Sequence, residues 1–283
     1  MVGAVRGLIA ALLLALAQSA LAQPAPVRSA PADIVILGEV HDNLETHLAQ
    51  ARRIEELRPA AVVFEMLSPD AADRAMRADR TDPAALAAAT RWHETRWPPF
   101  DLYAPVFLAA REAALFGMAV TPGEARKAVF LGASAVFGAQ GARFGLDRPL
   151  PREEQAAREA LKLQTHCGAL PPVLRRGFVE AQRLRDAALA QAALSALAAH
   201  GGPVVVITGH GHARKDWGVP RLIARAAPHV TVHSVGYVET EDGAPFDETV
   251  LVPATPRADP CARSVRPRAD AAPGKLSRRP PPP

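Results

Sequence analysis

Two stretches of this chain set histidine and carboxylate side chains beside glycines at the ends of apolar runs. They are Gly38-Glu39-Val40-His41-Asp42-Asn43 and Gly209-His210-Gly211-His212, and the spacing Gly-x-x-His recurs from Gly38 to His41 and from Gly209 to His212. A third apolar run ends in Glu65. Imidazole can ligate a metal, hydrogen-bond a carboxylate or transfer a proton near neutral pH, and a carboxylate can ligate or orient it. Glycine lets the backbone turn sharply or approach a ligand closely. A single histidine at a strand end is ordinarily structural; the repeated spacing marks Glu39, His41, Glu65, His210 and His212 as a functional set.

These residues act together only if the fold converges them. Residues 33–38 and 60–66 are short, apolar and rich in β-branched side chains, which predicts buried strands. Between them Leu48, Ala51, Ile54 and Leu57 recur at three-residue steps, an amphipathic helix over 44–57. This is a βαβ unit with parallel strands. Residues 70–116 carry an Ala-rich helical pattern broken at Pro98-Pro99, a weak strand is expected at 118–121, and helical pattern returns over 124–200, with its longest stretch at 177–199. Strands at 204–208, 230–235 and 249–252 and a helix over 219–227 complete the order. The expected fold is α/β, a parallel-rich β-sheet flanked by helices, with a smaller all-helical subdomain inserted at about 70–116 and 124–200. In such a sheet the carboxyl ends of the strands line one crevice, so the five residues should meet there.

The 283 residues are 49% apolar and 22% charged, which describes a globular chain and excludes a polytopic membrane protein. Residues 1–22 hold Arg6, an apolar run at 7–17 and small residues at Ala20 and Ala22, the pattern of a cleaved signal peptide. The run is shorter than the roughly 20 residues a spanning helix needs, and no lipidation Cys stands at the cleavage point. A periplasmic or secreted protein with no stable membrane anchor is the expectation. The net charge of +4 resides in the tail, where positions 257–279 hold seven basic residues against two acidic ones. Nucleic-acid binding by the folded part is therefore not expected. Residues 254–283 lack apolar periodicity and are expected to be disordered, leaving 23–253 as the domain. Cys167 and Cys261 fall in a mid-chain loop and the tail, and unpaired thiols are the favoured expectation.

Residues 36–43 with His47 and Gln50, Phe64-Glu65-Met66, the pairs Ala181-Gln182 and Arg185-Asp186, and Gly209 through Val219-Pro220 resemble the ChaN family of haem-binding proteins. That family is related to the Tiki metalloproteases, the TraB proteins and the erythromycin-esterase-like hydrolases. The resemblance runs in patches over 33–252 and implies a haem cofactor near the cleft, a homodimer sharing it, and an outer-membrane haem receptor as partner. The superfamily's histidine and glutamate positions fall on Glu39, His41, Glu65 and His212. Relatives often carry a histidine pair where His47 stands alone. ChaN-type binding is associated with tyrosine ligation of iron, and the only tyrosines are Tyr103 and Tyr237. Tyr103, near Trp97, either walls a porphyrin or packs in the core; His41, His210 and His212 are the alternative ligands. Arg214 and Lys215 would meet a propionate, and Arg185 with Asp186 a structural ion pair at the rim.

Three readings follow from these residues. The first is a periplasmic haem-binding protein of ChaN type acting in haem or iron uptake. The second is a hydrolase, a peptidase or esterase, using Glu39, His41, Glu65 and His212 with a divalent metal ion or through a histidine base. The third is a binding module for another small molecule or protein.

Overall fold

The computed structural model describes residues 32–118, 120–240, 243, 245–259, 261 and 262. Its elements are β1 (Ile34–Glu39), α1 (Leu44–Leu57), β2 (Ala61–Phe64), α2 (Pro69–Arg77), α3 (Pro83–Thr90), α4 (Phe100–Ala109), β3 (Ala114–Gly117), α5 (Pro122–Leu131), α6 (Ala133–Phe137), α7 (Arg152–Thr165), α8 (Pro172–His200), β4 (Val204–Gly209), α9 (His210–Ala213), α10 (Val219–Ala226), β5 (Val232–Val238) and β6 (Glu248–Leu251). The strands form one sheet in the order β3-β2-β4-β1-β5-β6, and every pairing is parallel. β1 and β4 are buried along their whole length, which is why their sequences are continuously apolar.

Alternate residues of the strands feed two cores. Val35, Leu37, Phe64 and Ile207 face α1, α2, α3 and α4, whereas Ile34, Ile36, Val63 and Val206 face α5, α6, α8 and α10. The inserted helices thus divide between the two faces and belong with the sheet to one compact unit. The connection leaving β1 runs over the first face and the one leaving β4 over the second, although the two strands are neighbours. Such a reversal opens a crevice at the carboxyl ends of the two strands.

Three expectations change. The third strand is Ala114–Gly117, paired with β2 from Ala61↔Ala114, and not 118–121. Thr121 instead caps α5 in a capping box with Glu124, and the strand itself has no β-branched residue to announce it. Cys167 and Cys261 are joined in a disulfide. The start of the expected tail is also tied down. Thr255 N–H donates to Glu239, and Arg257 pairs with Asp42 at 2.9 Å and Glu239 at 2.6 Å. The expected signal peptide and the rest of the tail lie outside the described residues.

Candidate functional site

Strand register alone brings the two glycine-histidine stretches together. Glu39 at the end of β1 is paired with Gly209 at the end of β4, and Glu65 follows β2 on the other side of β4, its N–H bonded to Ile207 O at 3.0 Å. Gly38 and Gly209 are required for the approach. A Cβ at Gly38 would lie 2.6 Å from the Ala213 Cβ, and one at Gly209 would lie 2.8 Å from His41 Nε2. The His41 ring therefore rests over Gly209, with its Nδ1 2.8 Å from Glu39 Oε1 and its other side edge-on to Trp97 at 4.8 Å.

Glu39 is buried, and the same oxygen accepts a bond from the Tyr103 hydroxyl at 2.7 Å. Burial alone would raise the Glu39 pKa, but the hydrogen bond from His41 and the attraction of the His41 and His47 rings hold it down to about 2. His47 is wholly buried on α1, its Nε2 3.4 Å from Glu39 Oε1 and outside directed hydrogen-bond geometry, so neither ring nitrogen is satisfied. For His41, burial works against the charged form, yet the Glu39 hydrogen bond and the charges of Glu65 and Glu39 raise its pKa.

A second buried group lies beside the first. Glu65 Oε2 accepts from Thr208 Oγ1 at 2.7 Å and from Gly209 N–H at 2.9 Å, and its Oε1 stands 3.3 Å from His212 Nε2. The other nitrogen of His212 is 2.6 Å from Asp186 Oδ1, on α8. Burial opposes charge on His212, but Glu65 and Asp186 override it and raise the pKa to about 9. Glu65 is pushed well below the carboxylate range, its burial outweighed by His212. The imidazole therefore favours its charged form near neutrality, with Nδ1 donating to Asp186 and Nε2 within ion-pair distance of Glu65, and Gln182 Nε2 stands 2.9 Å from the same Nδ1.

Above this floor opens a cleft of about 510 Å³, within the roughly 300–1,000 Å³ typical of ligand sites. His41, His210 and His212 line its base, and Leu161, Val179, Trp217, Arg158 and Lys162 line its wall. His210 Nδ1 is 3.3 Å from the Glu39 carbonyl oxygen.

The structure thus brings Glu39, His41, Glu65, His210 and His212 together as expected. Tyr103 is wholly buried, its hydroxyl spent on Glu39, and so belongs to the support beneath the cleft. Tyr237 is buried in β5 beside Arg53 of α1, away from the cleft, and burial pushes its hydroxyl up to about 12. Arg214 is held by Asp216 at 2.7 Å and lies 3.9 Å over the Trp217 ring, and Lys215 pairs with Asp247, so neither lines the cleft. Asp186 faces His212 and is not paired with Arg185. Sequence reasoning missed Gln182, Arg158 and Lys162 as cleft residues and Asp186 as the partner of His212; for Gln182 and Asp186, their four-residue spacing on α8 was the available signal. Among the described residues no group of three or more His, Cys, Asp or Glu side chains has metal-site geometry, so the expected ligand set Glu39, His41, Glu65 and His212 does not assemble as one.

Fold and site together define a doubly wound α/β protein whose switch-point crevice has a floor of histidines and carboxylates. The chain belongs to the family described as haem-binding uptake, Tiki superfamily, ChaN, which matches residues 27–223. The structure is similar to that of ChaN of Campylobacter jejuni, described as showing cofacial haem binding, with a TM-score of 0.52 and 16% identity over 73% of this chain and 82% of that one. Weaker likenesses are to the type III effector HopBA1, with a TM-score of 0.40 and 13% identity over 75% of this chain and 79% of that one, and to a Bacillus cereus protein, with a TM-score of 0.35 and 13% identity over 74% and 66%. No curated protein matches the sequence.

Proposed function

We propose that the cleft at the carboxyl ends of β1 and β4 binds haem, and that the protein serves haem or iron uptake in the periplasm. The observation that carries this reading is the state of His41. Glu39 holds its Nδ1, while Nε2 has no hydrogen-bond partner among the described residues and lies at the cleft floor, the arrangement that orients a metal-binding imidazole. His210 Nε2, on the same floor, is likewise without a hydrogen-bond partner among the described residues. The apolar wall of Leu161, Val179 and Trp217 suits a planar macrocycle. When bound, haem would supply an iron centre for these nitrogens. The disulfide supports an oxidising compartment, and the signal-like N-terminus supports export.

The hydrolytic reading asks a histidine to accept a proton. His212 is held in its charged form between Glu65 and Asp186, which makes it a poor proton acceptor and argues against it as the general base. Titration of the mature chain with hemin should give a saturable Soret shift at micromolar concentration. His41→Ala or His210→Ala should weaken it, Tyr237→Phe should not, and binding should weaken as falling pH charges His41. No saturable shift in the parent chain removes the reading. By extension from the cofacial haem binding described for the Campylobacter jejuni protein, a homodimer is the form expected to deliver haem to or from an outer-membrane receptor; sedimentation with and without hemin tests the dimer.

A further inference from the structure

The wall of the cleft carries two cations that the protein leaves incompletely answered. Arg158 and Lys162 are four residues apart on α7 and so project from one face of it toward the cleft. Arg158 is the only buried residue of α7, an inversion of normal helix packing in which the apolar side chains are buried first. Its Nη2 donates to Glu154 at 2.5 Å and to the Trp217 carbonyl at 3.2 Å, but its buried Nε has no partner. Lys162 Nζ donates to Gln182 Oε1 at 2.6 Å, and among the described residues no carboxylate lies close enough to pair with it. A cation drawn out of water without an anion is costly unless something else supplies the charge. The nearby carboxylates are already engaged: Glu154 is shared between Arg158 and Arg221, Glu65 and Asp186 are held by His212, and Glu39 by His41, so among the described residues of the cleft Lys162 is the cation left without an anion.

We infer that Arg158 and Lys162 form a carboxylate-recognising subsite, so that the cleft selects a flat apolar ligand bearing acidic groups along one edge. This rests on the haem reading and adds to it which end of the macrocycle faces α7. The propionates would supply a counter-charge for Lys162 and an acceptor for the unpartnered Arg158 Nε. The subsite lies on α7, apart from Arg214 and Lys215.

The test compares hemin with its dimethyl ester, which keeps ring and iron but carries no carboxylate. The parent chain should bind hemin at least about tenfold more tightly than the ester, the scale of one charged hydrogen bond. Lys162→Met and Arg158→Met should each erase most of that preference by weakening hemin while leaving ester affinity within about twofold. Lys162→Arg should retain the preference. If Arg158→Met fails to fold, as judged by circular dichroism, the two Lys162 variants decide the matter alone. Equal binding of hemin and ester by the parent chain, or equal weakening of both ligands by Lys162→Met, overturns the subsite and leaves haem binding standing. Binding of neither compound overturns the haem reading itself. Competition by inorganic phosphate equal to that by a dicarboxylic porphyrin without iron would show a general anion site and overturn the assignment to the macrocycle's edge.

Discussion

Placing an imidazole between Glu65 and Asp186 fixes its charge as well as its orientation. Each nitrogen of His212 has one acceptor, so losing the proton would set a lone pair against a buried carboxylate. Asp186→Asn tests the arrangement with little change in volume. Removing one negative charge should lower the His212 pKa from about 9 toward an ordinary histidine value, read by NMR titration of the ring. The retained amide oxygen can still accept from Nδ1, so the stability loss should be about 1–3 kcal/mol, measured by urea unfolding. If His212 in that variant still titrates near the parent value, Asp186 is not what holds its proton.

Elements differ in how plainly their sequences announce them. β1, β2 and β4 were legible because a strand buried on both faces must be apolar at every position, and α1 because its helical stripe ends before Pro59. Glu39, His41, Glu65, His210 and His212 were legible because they stand where those strands stop. β3 was hidden by its composition, Ala114-Leu115-Phe116-Gly117, which fits a helix equally well. Asp186, Arg158 and Lys162 were hidden for another reason: on long Ala-rich or charged helices, tertiary packing decides which ionisable face turns inward. The docking of 253–259 and of Cys261 was hidden because it depends on single contacts and not on a periodic face. Asn43 Nδ2 donates to the Pro253 carbonyl at 2.8 Å, Arg257 pairs with Asp42, and Cys261 reaches Cys167 in the turn between α7 and α8. This strap joins the β1–α1 turn to the end of the helix that walls the cleft. The disulfide closes a loop of 94 residues, and loss of a native bridge of this kind costs about 2–5 kcal/mol. Replacing both cysteines by serine should lower the unfolding free energy by that amount, and the parent chain in reductant should match the double variant. Equal denaturation midpoints for oxidised parent and double variant would show that the strap holds without its bridge.

At the scale of the whole molecule the buried charges set a pH window for stability. Glu39 titrates at about 2 in the fold against 4.5 as a free side chain. Its contribution is therefore present above about 4.5 and is lost as pH falls through that value toward 2. His212 has the opposite sign, about 9 in the fold against 6.5 free. Its contribution is complete below about 6.5 and is lost as pH rises toward 9. The depressed Glu65 and the raised His212 are one attraction seen from its two ends, so the energy lost at high pH when His212 discharges is partly the same energy lost at low pH when Glu65 takes a proton. Each limb should be on the order of 3 kcal/mol deep, from shifts of this size at about 1.4 kcal/mol per pH unit. Thermal melts across pH should then show a maximum between about 4.5 and 6.5 and a clear decline by pH 9. His212→Gln removes the larger contributor to the alkaline decline, leaving that of His41, and its melting temperature should be lower on the plateau and fall less steeply from about pH 6.5 to 9 than the parent's. An alkaline limb equally steep in parent and variant would place its origin outside the His212 cluster.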